Sequence, residues 1–412
     1  MKYIFEGTWI YLAHESQLPG KNDFFTTYMG RQPVFINRNK EGKIGGFINA
    51  CAHRGAILCR EKRGHRPVFA CSFHGWRYNS DGELLGVKDM ESGGYPDSFN
   101  LKEHGLTRIP KLASYRGFIF GSLNPAVPEL EEHLADARVI IDSIVNQSPQ
   151  GLEVLKGSST YTFDGNWKMQ AENGVDGYHV TTVHRNFVAT TARRKAAVGE
   201  KDKIKAMGVG DWGKIEAGIY DFGNGHVLLW NDWPNPEDRP LYEKREEWSA
   251  KFGTARADWM IGTGRNLLIY PNVFLMDQMS SQIRHFRPLS VDKTEVTIYC
   301  FAPVGESAQS RERRIRQYED FFNASGMATP DDLAEFEACQ VGYGGTLSRW
   351  NDFSRGLKNL TRGPNVRAKA IGISPLLSGG DVADETIFQG QHRQWLKLMT
   401  EGLSQEGRPE GG

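Results

Sequence analysis

Short apolar runs separated by turns make up the first part of the chain. Between about Phe5 and Leu123, runs such as PVFINR, IGGFINACA and RGFIFGSL are rich in β-branched and aromatic residues, and turn sequences such as SDGE separate them. Runs of this length bounded by turn residues predict strands. We therefore expect a small antiparallel β domain over residues 1–130.

The pattern changes towards residue 130. The stretch PAVPELEEHLADARVIIDSIVNQ begins with proline, carries early acidic residues and repeats apolar positions at helical spacing, which predicts one helix after a domain boundary. Beyond it, strands (SSTYTF, NLLIYPNVFLMD, TEVTIYCFAPV) mix with helices (ESAQSRERRIRQYEDFFNASG, PDDLAEFEACQVGYG) without regular alternation. This order predicts a larger α+β domain over residues 131–403. Residues 404–412 are polar and glycine-rich, so we expect a disordered tail there.

Composition narrows the possible functions. The 412 residues include 50 Lys+Arg and 50 Asp+Glu, so no basic face favours nucleic acid. No apolar run of about 18 residues and no secretory signal occurs, which predicts a soluble cytoplasmic protein with no membrane partner. The five cysteines are odd in number, which argues against a disulfide framework and for reduced thiols, some of them binding metal.

Two cysteine and histidine pairs form the first candidate metal site. Seventeen residues separate His53 from Cys71, so a first loop supplies Cys51 and His53 and a second supplies Cys71 and His74, one thiolate and one imidazole each. A structural zinc site more often pairs like with like. A Rieske [2Fe-2S] centre holds one iron with two cysteines and the other with two histidines, which suits mixed loops. We therefore favour a Rieske cluster over zinc, and interpret Cys59 as a packed thiol.

A second candidate site has the spacing D-x-x-H-x4-H. Asp176, His179 and His184 fit a mononuclear Fe(II) site in which two histidines and a carboxylate leave positions open for O₂. On a helix, Asp176 would share a face with His179 and orient its imidazole. The two histidines would diverge by about 140° on a regular helix, so joint ligation predicts a helix break or π-bulge between them. Two histidines alone are better explained as hydrogen-bonded core or surface residues. The Rieske motif upstream reverses this preference, because a cluster that delivers single electrons needs an acceptor and an O₂-activating iron is a fitting one.

The third iron ligand must come from elsewhere in the chain. Asp332, at a helix start in TPDDL, is our candidate, with Asp331 as the alternative. Either carboxylate is also explained by helix capping or by the helix dipole.

These two motifs, in this order, resemble the large (α) subunits of Rieske non-haem iron aromatic-ring-hydroxylating dioxygenases over essentially the whole chain. Segments such as FEGTWIYLAHESQLPG and LLIYPNVFLMDQMSSQIR look most like the benzoate and toluate 1,2-dioxygenase branch. The resemblance implies a Rieske domain joined to a catalytic domain with a curved antiparallel sheet flanked by helices. It also implies cis-dihydroxylation of benzoate or a substituted benzoate, as a step in the degradation of aromatic compounds.

Cofactors and partners follow from the same resemblance. It implies a [2Fe-2S] cluster, mononuclear Fe(II), O₂ as co-substrate, and NADH acting through a separate flavin and [2Fe-2S] reductase. It also implies a small β subunit in an α3β3 assembly, in which His74 of one subunit reaches Asp176 of the next. Asn173 and Val180 are candidate pocket residues by their matching positions, although helix packing explains them equally well.

Some features depart from the family or leave alternatives open. The chain begins at MKYIFEG, where relatives generally carry some tens of residues more, so an N-terminal arm is expected to be short or absent. Arg185 either pairs with a substrate carboxylate or lies at the surface. A Rieske monooxygenase or demethylase would use the same iron ligands. A non-catalytic electron carrier or a zinc-stabilised binding module would not need the second metal site.

Overall fold

The structure is a computed structural model that describes residues 1–198, 214–347 and 350–406. The chain divides into two compact units, Met1–Leu130 and Glu131–Gly412. No helix in these described ranges combines the length and apolar character that crossing a membrane requires.

The first unit consists of antiparallel strands. In chain order they are β1 (Ile10–His14), β2 (Asp23–Met29), β3 (Gln32–Arg38), β4 (Ile44–Ile48), β5 (Arg63–His65), β6 (Val68–Ala70), β7 (Arg77–Asn79), β8 (Leu84–Gly86), β9 (Lys111–Tyr115) and β10 (Phe118–Ser122). They form sheets in the orders β4-β3-β2-β5, β6-β7-β8 and β1-β10-β9.

Aromatic side chains from these strands build the core beside the first candidate metal site. The rings of Phe35 and Phe69 lie 4.8 Å apart, and Phe47 lies 5.4 Å from Phe35. Cys51 and Cys71 belong to the same buried cluster. The strands therefore fix both cysteine loops against one apolar core, where well-packed rings leave little freedom to move.

The second unit combines one large sheet with helices. Its strands are β11 (Leu152–Val154), β12 (Ser159–Phe163), β13 (Ala217–Gly223), β14 (His226–Asp232), β15 (Thr263–Ile269), β16 (Val273–Asp277), β17 (Ser281–Ser290), β18 (Lys293–Pro303), β19 (Thr361–Arg362) and β20 (Leu377–Gly379). Its helices are α1 (Leu130–Leu134), α2 (Ala137–Val145), α3 (Trp167–Asn173), α4 (Val180–Val183), α5 (Arg185–Val198), α6 (Arg245–Phe252), α7 (Thr254–Ala257), α8 (Ala308–Asp320), α9 (Thr329–Tyr343), α10 (Val366–Ile371) and α11 (Phe388–Glu406).

The large sheet is antiparallel throughout. Its strand order is β11-β18-β17-β16-β15-β14-β13-β20-β19, and β12 also pairs with β18. The central strands β15 and β16 are buried at every position. The expected fold class, an N-terminal antiparallel β domain followed by a larger α+β domain, is confirmed.

Strand register places four residues of interest on one face of this sheet. Arg284 of β17 pairs with Phe274 of β16. Phe274 in turn pairs with Leu268, which lies two residues from Asn266. Because side chains alternate along a strand, Asn266, Phe274 and Arg284 point the same way. Tyr161 joins them, since it pairs with Val296, two residues from the Ile298 that pairs with Arg284.

Helices α3 and α9 cover this face. Gly174, just after α3, approaches so closely that a Cβ there would lie 2.4 Å from the Phe274 ring. From α9, Phe336 packs on Phe163 of β12 with ring centroids 5.1 Å apart. The segments that carry the second candidate metal site therefore rest on the Arg284 face of the sheet.

Two expectations about local structure were wrong. The helix expected near residue 130 is two helices, because Ala135 adopts a left-handed conformation (φ 47°) between α1 and α2. The Asp136 carboxylate there accepts a hydrogen bond from the distant Ser374 N–H, a tertiary contact that helical periodicity does not include.

The expected disordered tail is also wrong in part. Residues 404–406 belong to α11, and the Ser404 hydroxyl donates to the carbonyl of Thr400 within that helix. The helix continues because glutamine and glutamate have good helix propensity. Residues 407–412 lie outside the described residues.

Candidate metal centres

The two loops of the first site are closed in the same way. In one, the Gly55 N–H donates to the Cys51 carbonyl, and the Cys51 N–H donates to the Ala56 carbonyl. In the other, Gly75 and Cys71 repeat these bonds, with the Cys71 N–H donating to the Trp76 carbonyl. Gly55 and Gly75 have φ of 70° and 74°, a conformation that favours glycine. Each loop thus presents one cysteine and one histidine from an equivalent turn.

Cysteines and histidines occupy opposite sides of this site. Cys51 and Cys71 are buried, whereas His53 is exposed and His74 is half-buried. The two imidazoles lie 4.6 Å apart between ring centroids, and His53 stacks on the Trp76 indole at 4.9 Å. A two-iron cluster between the loops would have its thiolate iron towards the core and its imidazole iron towards solvent. That is the side from which an electron donor or acceptor reaches it.

A hydrogen bond reaches one of the candidate thiolates. The Tyr78 hydroxyl lies 3.2 Å from the Cys51 sulfur and accepts the Ala52 N–H at 3.1 Å. A thiolate only accepts, so the hydroxyl donates to Cys51 when that cysteine is a ligand. Cys59, by contrast, is buried in the core, and burial raises the pKa of its thiol to about 12. That environment fits a packed thiol.

The second site is built around the predicted helix break. His179 precedes the four-residue helix α4 and His184 follows it, with φ −91° and ψ 25° at His184 before α5 begins. The break is confirmed, and it brings the Nε2 atoms of the two histidines within 3.2 Å of each other. A regular helix would have pointed the two rings apart.

Asp176 contacts His179 as expected, but not from a helix. It lies in the loop between α3 and α4, where its carboxylate accepts the Tyr178 N–H at 2.7 Å. Its other oxygen lies 3.0 Å from Nδ1 of His179. The expectation of a shared helix face was therefore wrong: an Asx turn brings the two side chains together. The carboxylate still holds the ring on the side away from Nε2.

Asp332 completes a group of three converging donors. Its Oδ1 lies 3.3 Å from Nε2 of His184 and 3.5 Å from Nε2 of His179. Three donors at metal–ligand distances of about 2.1 Å and right angles would be spaced by about 3 Å, which is close to this triangle. Asp332 is 3% exposed, and its Oδ1 has no hydrogen-bond partner among the described residues. A buried carboxylate oxygen in this state fits a cation ligand.

Asp331 lies on the other side of His184. Its Oδ2 is 3.8 Å from Nδ1, the nitrogen that points away from the three-donor group. In the described part of the chain, the three-donor group close enough to hold a single ion is His179, His184 and Asp332. The four residues of the first site do not form such a group, which favours a larger cluster there over one zinc ion.

Charge at the second site favours a proton or a cation. Burial lowers the pKa of His179, but the carboxylates of Asp176 and Asp332 outweigh burial, so the pKa is raised overall. In the absence of metal this imidazole attracts a proton, and a metal ion would take the same place.

A cavity lined in part by His179 and His184 opens beside the three donors. The candidate pocket residues Asn173 and Val180 line it, and the Asn173 side-chain nitrogen lies 3.4 Å from Nε2 of His179. Arg185 is exposed and is not among the lining residues. The following lining residues were not predicted from the sequence: Phe187, Val188, Asn266, Gln278, Met279, Phe321 and Phe322. A mostly apolar, aromatic lining with a few polar groups is typical of a site for an aromatic ligand.

Comparison with known proteins identifies the family. A family model described as the ring hydroxylating alpha subunit (catalytic domain) matches residues 153–401, and one described as the Rieske [2Fe-2S] domain matches residues 8–113. The chain is 55% identical over 407 residues to the toluate 1,2-dioxygenase subunit alpha of Pseudomonas putida, covering 98% of this chain and 89% of that protein. It is 53% identical to the 2-halobenzoate 1,2-dioxygenase large subunit of Burkholderia cepacia, covering 98% of this chain and 87% of that protein.

The fold has solved counterparts. The crystal structure of naphthalene 1,2-dioxygenase from Rhodococcus sp. bound to indole matches with a TM-score of 0.81 and 27% identity, over 97% of this chain and 90% of that chain. The expected enzyme class is confirmed, and with it the two cofactors, a Rieske [2Fe-2S] cluster and a mononuclear iron. The chain belongs to the family of ring-hydroxylating dioxygenase alpha subunits that carry a Rieske [2Fe-2S] domain.

Proposed function

We propose that this chain is the large subunit of a terminal oxygenase that cis-dihydroxylates benzoate or a substituted benzoate, using O₂ and electrons from NADH. The observation that carries the proposal is the cavity beside the converged His179, His184 and Asp332 donors in a family of ring hydroxylases. The names of the relatives support the substrate class, since they include toluate, 2-halobenzoate and anthranilate dioxygenases.

Ligand roles follow from the two donor sets. We assign Cys51, His53, Cys71 and His74 to the Rieske cluster. We assign His179, His184 and Asp332 to the mononuclear iron, and prefer Asp332 to Asp331 because it lies near both Nε2 atoms. When bound, the two centres supply single-electron transfer and activation of O₂.

Protein groups around the iron site orient its ligands. Asp176 lies 3.0 Å from Nδ1 of His179, so its carboxylate favours the tautomer that leaves Nε2 free to bind metal. Asp331, 3.8 Å from Nδ1 of His184, is beyond hydrogen-bond distance and contributes its negative charge. Phe187, Phe321 and Phe322 give the cavity apolar walls, which hold an aromatic ring and exclude water. Asn173 adds an amide beside His179.

Partners are proposed from the same family. We propose a small β subunit in an α3β3 assembly and a separate flavin and [2Fe-2S] reductase that draws on NADH. Within the trimer, we propose that His74 of one subunit faces Asp176 of the next. Both side chains are partly exposed, as a contact with another subunit requires. A cytoplasmic location fits the ligand role of Cys51 and Cys71, which needs reduced thiols.

Turnover with labelled oxygen tests the proposal. The purified oxygenase, its reductase and NADH would be supplied with benzoate under ¹⁸O₂, and the product analysed by mass spectrometry. We expect a cis-dihydrodiol carboxylate carrying two labelled atoms. A product with one labelled atom, or loss of a methyl group from an N-methyl or O-methyl aromatic acid without ring dihydroxylation, would identify a monooxygenase or demethylase instead.

A further inference from the structure

Arg284 is a buried cation that forms no ion pair with the residues the structure describes. It lies on β17 and is 1% exposed. Its Nε and Nη2 atoms have no hydrogen-bond partner among the described residues. The fold pairs other buried arginines: Arg265 and Arg239 contact Asp277, and Arg314 lies 3.0 Å from Glu306. An unpaired buried guanidinium is strongly unfavourable, so its presence indicates that an anion binds to it in the working enzyme.

Arg284 lies directly behind the wall of the iron cavity. Its guanidinium carbon is 4.7 Å from the ring centroid of Phe322, and Phe322 lines the cavity. Arg284 also shares its sheet face with Asn266, another lining residue. Neither arginine nor lysine is among the described residues that line the cavity itself. Arg284 is therefore a cation placed one side chain away from the substrate space.

A neighbouring tyrosine links Arg284 to the iron site. Burial raises the pKa of the Tyr161 hydroxyl, and the two charged groups that act on it are the Arg284 guanidinium and the Asp332 carboxylate. The Tyr161 hydroxyl has no hydrogen-bond partner in the described part of the chain either. Tyr161 therefore lies close enough to both Arg284 and Asp332 to be affected by the charge of each.

Two amides, those of Asn266 and Gln278, also line the cavity. The Asn266 side chain donates to the Gln278 carbonyl oxygen at 3.1 Å, and Gln278 donates in turn to Asn231. These neutral groups are already hydrogen-bonded to one another. They orient a substrate but supply no charge to neutralise a carboxylate, whereas the guanidinium does both.

We propose that Arg284 recognises the carboxylate of the aromatic acid. This inference rests on the proposed function, which requires a monoanionic ring close to the iron ligands. Rotation of the Phe322 ring opens the guanidinium to the cavity, and the contact with a ring face is replaced by a charge-assisted, two-pronged pair with the carboxylate. Aromatic acids are then preferred to neutral arenes, because a bound neutral arene leaves the guanidinium unpaired.

Binding of an acid and its neutral analogue tests the assignment. The holoenzyme variants Arg284→Met and Arg284→Lys would be titrated anaerobically with benzoate and with benzamide by calorimetry. Arg287→Met is the matched control, since Arg287 lies on the same strand and already pairs with Glu295 at 2.7 Å. We expect Arg284→Met to weaken benzoate binding about 100-fold and Arg284→Lys about 10-fold, with benzamide changed less than about threefold. The control should change neither ligand.

Iron content and thermal unfolding of each variant complete the experiment. Methionine removes an unpaired buried charge, so Arg284→Met should unfold at the same temperature as the wild type or above it. If it fails to fold, the selective loss of benzoate binding in Arg284→Lys decides the question. The assignment would be overturned if the Arg284 substitutions weakened benzoate and benzamide binding equally. It would also be overturned if they removed the mononuclear iron and left the ratio of the two affinities unchanged.

The outcomes also separate this inference from the proposed function. If the wild-type oxygenase binds benzoate and Arg284→Met binds it equally well, the inference alone fails. If the wild type binds no aromatic acid, the proposed function fails and the inference fails with it.

Discussion

Replacing Asp332 by asparagine should abolish stable binding of the mononuclear iron, whereas the same change at Asp331 should only weaken it. Asp332 Oδ1 lies within 3.5 Å of Nε2 of both His179 and His184, so the change removes one of three converging donors and its negative charge. Asp331 lies 3.8 Å from the other nitrogen of His184 and is one-third exposed. Loss of such an outer carboxylate typically costs 10–100-fold in metal affinity, and partial exposure favours a value of about 10-fold.

The assay is an anaerobic Fe(II) titration of protein from which the mononuclear iron has been removed, against a competing chelator. We expect Asp332→Asn to lose more than about 100-fold in affinity, beyond the range for an outer carboxylate. The visible spectrum of the Rieske cluster, which lies in the other unit of the chain, should be the same in all samples and serves as the internal control. Wild-type Fe(II) affinity in Asp332→Asn, together with a large loss in Asp331→Asn, would refute the assignment of the third ligand.

Three further outcomes are expected. Tyr78→Phe, which removes the hydroxyl that reaches Cys51, should lower the reduction potential of the cluster by about 40 mV in voltammetry. The reason is that a hydrogen bond worth about 1 kcal/mol favours the more negative, reduced state. An unchanged potential would contradict this. Asp176→Asn should weaken Fe(II) binding about 10-fold, because the charge beside Nδ1 of His179 is lost, and an unaltered titration would exclude that role. His226 is fully buried, and burial lowers its pKa from 6.5 to about 4. Because the unfolded chain takes up this proton first as the pH falls, about 3 kcal/mol of stability should be lost between pH 6.5 and pH 4. Urea unfolding should show a weaker pH dependence in His226→Gln, and identical slopes would count against it.

The sequence predicts most of the metal chemistry because ligand spacing is a local property. The mixed Cys-x-His and Cys-x-x-His loops indicate a Rieske centre without any knowledge of the fold. The five-residue step from His179 to His184 demands a helix break, and the structure contains one. Of the two adjacent carboxylates in TPDDL, the preferred candidate Asp332 is the one that lies near both histidines.

The parts that were not predicted depend on contacts between distant segments. Arg284 is the last of four consecutive buried residues at the start of β17, so alternation of polar and apolar positions does not mark it as internal. Its position beside Phe322 follows from strand register and from the packing of the segment after α8. The local sequence pattern predicts neither of these. The break at Ala135 is likewise followed directly by a residue, Asp136, that contacts the distant Ser374.

Counting metal in the purified chain tests the central claim most directly. The account predicts about three irons and two sulfides per chain, no zinc, and a Rieske-type EPR signal after dithionite reduction, because one two-iron cluster and one separate iron are present. Two irons in Asp332→Asn, with the same sulfide and the same signal, would place the third iron at the proposed ligands. One zinc per chain, with no sulfide and no colour, would contradict the account.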